Sequence, residues 1–180
     1  MKKVGMFWGS DTGATEAVAD LIVNYLSSSL NVESIEISRT STDKISEFEC
    51  LILGLSTWHD GELQSDWDIF FNKFCEINFS GKTVALFGLG DQAGYSDYFI
   101  DGVGIIAKQV LKAGGKIIGT WPTEGYDFDS SKASIDDFSF YGLAIDEEFQ
   151  PELTDERIKI WCEQIKREFT AEIREEHSSD

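Results

Sequence analysis

The chain has 180 residues, 42% hydrophobic and 13% aromatic, which suits one packed domain and is too apolar for a disordered segment. Its 33 acids against 15 bases leave a formal charge of −18, a field that repels nucleic acid and anionic membrane and favours basic protein partners. Bases are sparse from Asp43 to Asp101, where eleven Asp and Glu face only Lys44, Lys73 and Lys82; this stretch reads either as a docking face or as general solubilising charge.

Along the chain, short apolar runs alternate with segments of helical period, which predicts an α/β fold with a mostly parallel sheet and helices on both faces. Lys3 to Trp8 reads as a first strand with no long apolar segment around it, so neither a signal peptide nor a membrane span is expected and the cytoplasm is the default. A helix follows, with Ala14, Val18, Leu21, Ile22 and Tyr25 on one face. Val32 to Ile37 mixes apolar and polar residues, as an edge strand does. Cys50 to Leu55 is continuously apolar, hence a central strand buried on both faces. Next come a helix containing Trp67, Phe70, Phe71 and Phe74, a central strand over Thr83 to Phe87, and a helix from Gly102 to Ala113. Lys116 to Trp121 starts a fifth strand.

Beyond Trp121 the pattern breaks. Asp127 to Lys132 is polar and turn-like, whereas Phe140 to Ile145 is apolar enough to return to the sheet, so a surface insertion is expected to interrupt the fifth strand. A last helix runs from Thr154, read as its N-cap, to Phe169. Residues 1–176 are expected to form a single domain, with 177–180 as a frayed tail. Cys50, Cys75 and Cys162 form no CxxC pair. Cys50 opens an apolar run and Cys162 lies among helical positions, so they read as buried thiols in a reducing compartment.

The sharpest chemical signal is Ser10-Asp11-Thr12-Gly13-Ala14-Thr15, between the first strand and the first helix. Three hydroxyls and a glycine here can ring a small anion, with loop amides and the helix N-terminus as further donors. A helix-capping Ser/Thr cluster is the competing reading. No Lys or Arg occurs between Lys3 and Arg39, so the lysine of a nucleoside-triphosphate loop is missing and a monophosphate held by neutral donors fits better. Gly88-Leu89-Gly90-Asp91-Gln92-Ala93-Gly94 has the wrong glycine spacing for a dinucleotide fingerprint. As a loop leaving a strand it brings backbone, and then Tyr95, against a flat ligand. Ser56-Thr57-Trp58-His59-Asp60-Gly61-Glu62-Leu63 puts a tryptophan among charge and glycine, where core packing explains it poorly. All three loops leave carboxyl ends of strands, the edge where open α/β sheets bind ligands. Two aromatics beside a monophosphate cradle describe a sandwich for a flat phosphorylated ring.

With these motifs in this order, the sequence resembles the flavodoxin family, in its long-chain branch, over essentially its full length. The matching segments are Phe7 to Glu16, Thr57-Trp58 with Gly61 to Trp67, Gly90-Asp91-Gln92 with Gly94-Tyr95, Gly125 to Phe128, and Gly142 to Asp146. The resemblance implies a flavodoxin-like five-stranded parallel sheet, one non-covalent FMN, and one-electron transfer between redox proteins, with no catalytic residues and no metal. It implies that Ser10, Thr12, Gly13, Ala14 and Thr15 bind the phosphate, with Asp11 in the same loop. Trp58 and Tyr95 stack on opposite faces of the ring, and backbone around Thr57, Gly90 and Asp91 meets its polar edge, with Ser56, Leu89 and Asp97 alongside. Asp146 lies near the ribityl chain. Leu89 stands where some members have threonine. His59-Asp60, ahead of Gly61, occupies the peptide that turns over on reduction in the family, and His59 either adds a titrating charge beside the flavin or is a solvated loop residue. The partners implied are basic redox proteins, such as a ferredoxin/flavodoxin-NADP reductase and a low-potential donor or acceptor, meeting a monomer.

Two other readings share this architecture. An FMN-dependent NAD(P)H:quinone reductase would need a second nucleotide site, for which no basic cluster is present. A phosphoacceptor receiver domain needs an aspartate at the third strand's end and a lysine ending the fifth, where this chain has Leu55-Ser56-Thr57 and Thr120-Trp121.

Overall fold

The apolar runs dictate the centre of the sheet. In the computed structural model, which describes residues 1–176 with side chains through residue 171, β1 (Lys2–Trp8), β3 (Cys50–Trp58) and β5 (Thr83–Leu89) are buried along most of their length. They pair in parallel in the order β1-β3-β5, with half-exposed β2 (Leu30–Glu36) at the edge beside β1. Phe87 meets Trp161 of α5 (Thr154–Glu176), ring centroids 6.4 Å apart. At the next residue, Gly88, an added Cβ would fall 2.3 Å from Val103 of α4 (Asp101–Lys112). Successive strand residues face opposite ways, so α4 and α5 cover opposite faces. α1 (Ala14–Leu26) packs beside α5.

The fifth strand is built from two pieces. β6 (Lys116–Ile118) pairs with Thr83–Ala85, and β9 (Leu143–Ile145) pairs with Phe87–Leu89 further along the same β5. The first piece stops at Ile118, short of the expected Trp121. There Gly119 turns the backbone onto α5, its N–H donating to the Glu168 carboxylate (2.7 Å) and its carbonyl accepting from Trp161 Nε1 (2.8 Å). Trp121 instead starts β7 (Trp121–Pro122), which pairs antiparallel with β8 (Ser139–Phe140) as a separate hairpin. Inside the insertion, Tyr126, Phe128 and Phe140 pack around Phe99. The Tyr126 hydroxyl accepts from Trp121 Nε1 (2.9 Å) and donates to the Ala144 carbonyl (2.6 Å), and burial pushes this phenol up to about 12. The insertion is thus a packed appendage with its own aromatic core.

Sequence patterning misses two short elements. α2 (Thr42–Ser46) is capped by Ser41, whose hydroxyl accepts from Lys44 N–H, and β4 (Glu62–Leu63) folds back on β3. α3 (Ser65–Phe74) follows directly. Thr154 is not an N-cap: it has helical torsions (φ −56°, ψ −54°) behind a 3₁₀ turn at Pro151–Leu153, and its hydroxyl donates to Glu147. Cys50 and Cys162 are buried, and burial pushes the Cys162 thiol up to about 12; Cys75 is exposed, contrary to expectation. The expected tail, 177–180, lies outside the described residues. Among the described residues no helix is long and apolar enough to cross a membrane.

Candidate functional site

Parallel pairing brings the carboxyl ends of β1, β3, β5 and β9 to one edge, and every candidate loop leaves from it. After β1, Gly13 sits at the start of α1 in the left-handed region (φ 89°), which glycine adopts without steric cost. Its N–H donates to Ser10 Oγ (3.0 Å), closing the loop. No side chain caps α1, so the Ser/Thr cluster is not a capping cluster, and the first N–H groups of the helix remain a donor set for an anion. Asp11 turns away: its carboxylate accepts from Gln64 Nε2 (3.0 Å) and from the Ser65 hydroxyl, tying the loop to the start of α3. Thr15 is buried under the loop, whereas Thr12 and Ala14 line the cleft beside it.

That cleft has a volume of about 350 Å³, within the range of small-ligand sites. Ser56, Thr57, Trp58 and His59 line one side of it; Leu89, Gly90, Asp91 and Tyr95 line another. Trp58 is half-buried, held by a hydrogen bond from Nε1 to Ser56 Oγ (2.9 Å). Tyr95 is 49% exposed. The Asp91 carboxylate closes its own turn by accepting from the Ala93 and Gly94 N–H groups (3.0 and 2.7 Å). The β3–β4 hairpin turns through His59, Asp60 and Gly61, and His59 has φ 45°, a left-handed torsion that costs a non-glycine residue roughly 1–2 kcal/mol. A side chain at 61 would meet the Asp101 carboxylate at 2.5 Å.

Several expected residues stand elsewhere. Asp60, Gly61 and Asp97 do not line the cleft, and the Asp97 backbone is engaged by Ser130. Asp146 is fully buried, its carboxylate saturated by protein donors, so it cannot offer a side chain to a ribityl chain. Its neighbours Glu147 and Glu148 line the cleft instead, with Tyr98. The signal for the two glutamates lay in the sequence: they follow the returning strand at the ligand-binding edge. Asp101, counted among the acids of the sparse-base stretch, is buried and paired with Lys132 (3.1 Å). A second, wider groove of about 800 Å³ shares Trp58 and His59 with the cleft and adds Glu62, Leu63, Asp68 and Phe71.

An open doubly wound sheet of order β2-β1-β3-β5, with its cleft at the switch between β1 and β3, defines an α/β protein of flavodoxin-like architecture. The chain belongs to the flavodoxin family, whose model, described as flavodoxin, matches residues 6–161. It is 48% identical to a flavodoxin from Synechocystis sp. over 92% of this chain and 97% of that protein. It is 46% identical to flavodoxin 1 of Escherichia coli over 93% and 95% respectively. A crystal structure of Fusobacterium nucleatum flavodoxin bound to flavin mononucleotide superposes with a TM-score of 0.88 at 36% identity, covering 93% of this chain and 99% of that one.

Proposed function

We propose that the chain is a low-potential one-electron carrier that holds one FMN non-covalently in this cleft, through a single domain spanning residues 1–176. The carrying observation is the uncapped start of α1, open to the same cleft as Trp58 and Tyr95. When bound, FMN supplies a ring system that accepts and returns electrons one at a time. The α1 N–H groups and the Thr12 hydroxyl bind the phosphate, which needs no lysine because several neutral donors share its charge. Trp58 and Tyr95 cover the ring and exclude water, while Thr57, Gly90 and Asp91 meet its polar edge. Glu147 and Glu148 line the same cleft, so they would set negative charge beside a bound flavin and would disfavour adding electrons to it. Such a site lowers the potential.

The test is a titration of purified protein with FMN. One equivalent should bind and be released by acid, FAD and NAD should not replace it, and the holoprotein should not oxidise NAD(P)H directly. A protein that stays colourless with added FMN refutes the cofactor, and rapid NADPH oxidation would establish the quinone-reductase reading instead. Among the described residues no Lys or Arg lines the cleft or the adjoining groove, which disfavours a second nucleotide there.

Partners are inferred to be basic redox proteins, such as a ferredoxin/flavodoxin-NADP reductase, meeting a cytoplasmic monomer. Glu62 and Asp68 are exposed in the groove beside Trp58 and outside the cleft, so they suit steering. Changing both to lysine should slow association with such a reductase and flatten its dependence on ionic strength, with FMN affinity little altered. Stopped-flow rates with the same salt dependence as wild type would remove this face from recognition.

A further inference from the structure

Two loops flank the cleft beyond the reach of the sheet's ladder. The last ladder-like bond between β5 and β9 runs from Gly90 N–H to the Ile145 carbonyl (3.0 Å). Past it, the chain that carries Asp91 and Tyr95 and the chain that carries Glu147 and Glu148 are joined by one buried side-chain pair. Gln92 is 1% exposed, and both its backbone N–H and its Nε2 donate to Asp146 Oδ2 (3.0 and 2.7 Å). The other Asp146 oxygen accepts from Glu148 and Phe149 N–H (3.1 and 2.9 Å). Gln92 Oε1 accepts from Asp127 N–H (2.7 Å), which extends the link to the insertion.

We propose that Gln92 and Asp146 are positioning residues whose buried amide–carboxylate pair sets the spacing of the Tyr95 loop and the Glu147–Glu148 loop for flavin binding. The inference rests on the functional reading above. The two residue types match their partners: each atom of the pair meets a group of the opposite hydrogen-bonding character. An amide at 92 can donate to a carboxylate while accepting a backbone N–H, and the bond partners fix which end does which. The carboxylate tolerates burial because four N–H groups satisfy it. Neither residue touches the ligand space, so their influence is on where the cleft walls stand.

The test is Gln92→Glu, which puts two carboxylates where 2.7 Å now separates donor from acceptor. Like charges so close cannot both ionise without moving apart. Keeping the binding-competent spacing then requires a shared proton, so the pair's pKa is higher in the FMN-bound protein than in the relaxed one. Binding is therefore strongest below the relaxed-state pKa and is lost as pH rises through the bound-state value. We expect the variant's FMN dissociation constant to climb between about pH 5 and about pH 8, by up to about tenfold per pH unit at its steepest. The phosphate's own titration is common to both proteins, so the variant-to-wild-type ratio is the readout. The swap Gln92→Glu with Asp146→Asn leaves one carboxylate facing one amide and should abolish the pH dependence.

A variant ratio flat across this range, or a swap that keeps the slope, overturns the proposal. Unfolding of the FMN-free variant over the same pH range, followed by near-ultraviolet circular dichroism, also overturns it, because the pair would then hold the domain rather than the cleft. Failure of the wild type to bind FMN refutes the functional reading itself, whereas a wild type that binds beside a flat variant refutes the positioning role alone.

Discussion

Thr12→Glu is expected to weaken FMN binding by roughly a hundredfold and to leave riboflavin binding within about threefold. Thr12 is exposed on the cleft wall at the start of α1, where the phosphate is proposed to sit. Two unit charges ~5 Å apart interact by about 3 kcal/mol at an effective dielectric of ~20. A phosphate carries roughly −1.5 to −2, and the exposure of position 12 cuts the interaction by about half, leaving roughly 3 kcal/mol. Thr12→Ala removes only a hydroxyl donor to a charged group, so about tenfold is expected there. Position 12 immediately precedes the α1 N-cap Gly13, where an acid faces the positive end of the helix dipole, so Thr12→Glu should not destabilise the folded chain. Fluorescence titration with both flavins checks the result. Equal losses for FMN and riboflavin would move the phosphate away from α1.

What the sequence discloses and conceals follows from the range of the interactions involved. β1, β3 and β5 are legible because strands buried on both faces need uninterrupted apolar runs, and α1 because its buried face repeats at helical period. The interrupted fifth strand is legible as two apolar runs around a polar one. Where its first piece ends is not, because Trp121 continues the apolar pattern while a turn at Gly119, fixed by Glu168 and Trp161 far along the chain, redirects it. The cleft loops are legible through residue types that core packing does not explain, Trp58 above all. Asp146 shows the limit: position in the chain puts it at the ligand edge, and only the partners of its oxygens reveal that Gln92 and two backbone amides have already taken it. Glu147 and Glu148, one and two residues on, inherit the cleft.

The return of the chain to β5 should be the most fragile point of the site. At Gly142, immediately before β9, an added Cβ would fall 2.2 Å from the Leu86 carbonyl oxygen. That atom is backbone in a central strand, so no side-chain rotation relieves the clash and either β9 or β5 must shift. Gly142→Ala is therefore expected to cost about 3 kcal/mol, at the upper end of ordinary overpacking, and to lower Tm by roughly 6–12 °C. Gly81→Ala is the matched control. Gly81 has φ 76° but nothing within 4 Å of an added Cβ, so it carries only the left-handed backbone penalty of about 1–2 kcal/mol. The two variants should also part in binding. Displacing β9 pulls Ile145 from Gly90 and moves Glu147 and Glu148, so Gly142→Ala should lose FMN affinity while Gly81→Ala keeps it. Melting curves recorded without FMN separate folding from ligand stabilisation, which would otherwise raise Tm by mass action. If Gly142→Ala melts within a degree or two of Gly81→Ala and binds FMN as tightly, β9 has room to yield, and the returning strand is not what holds the cleft's acidic rim in place.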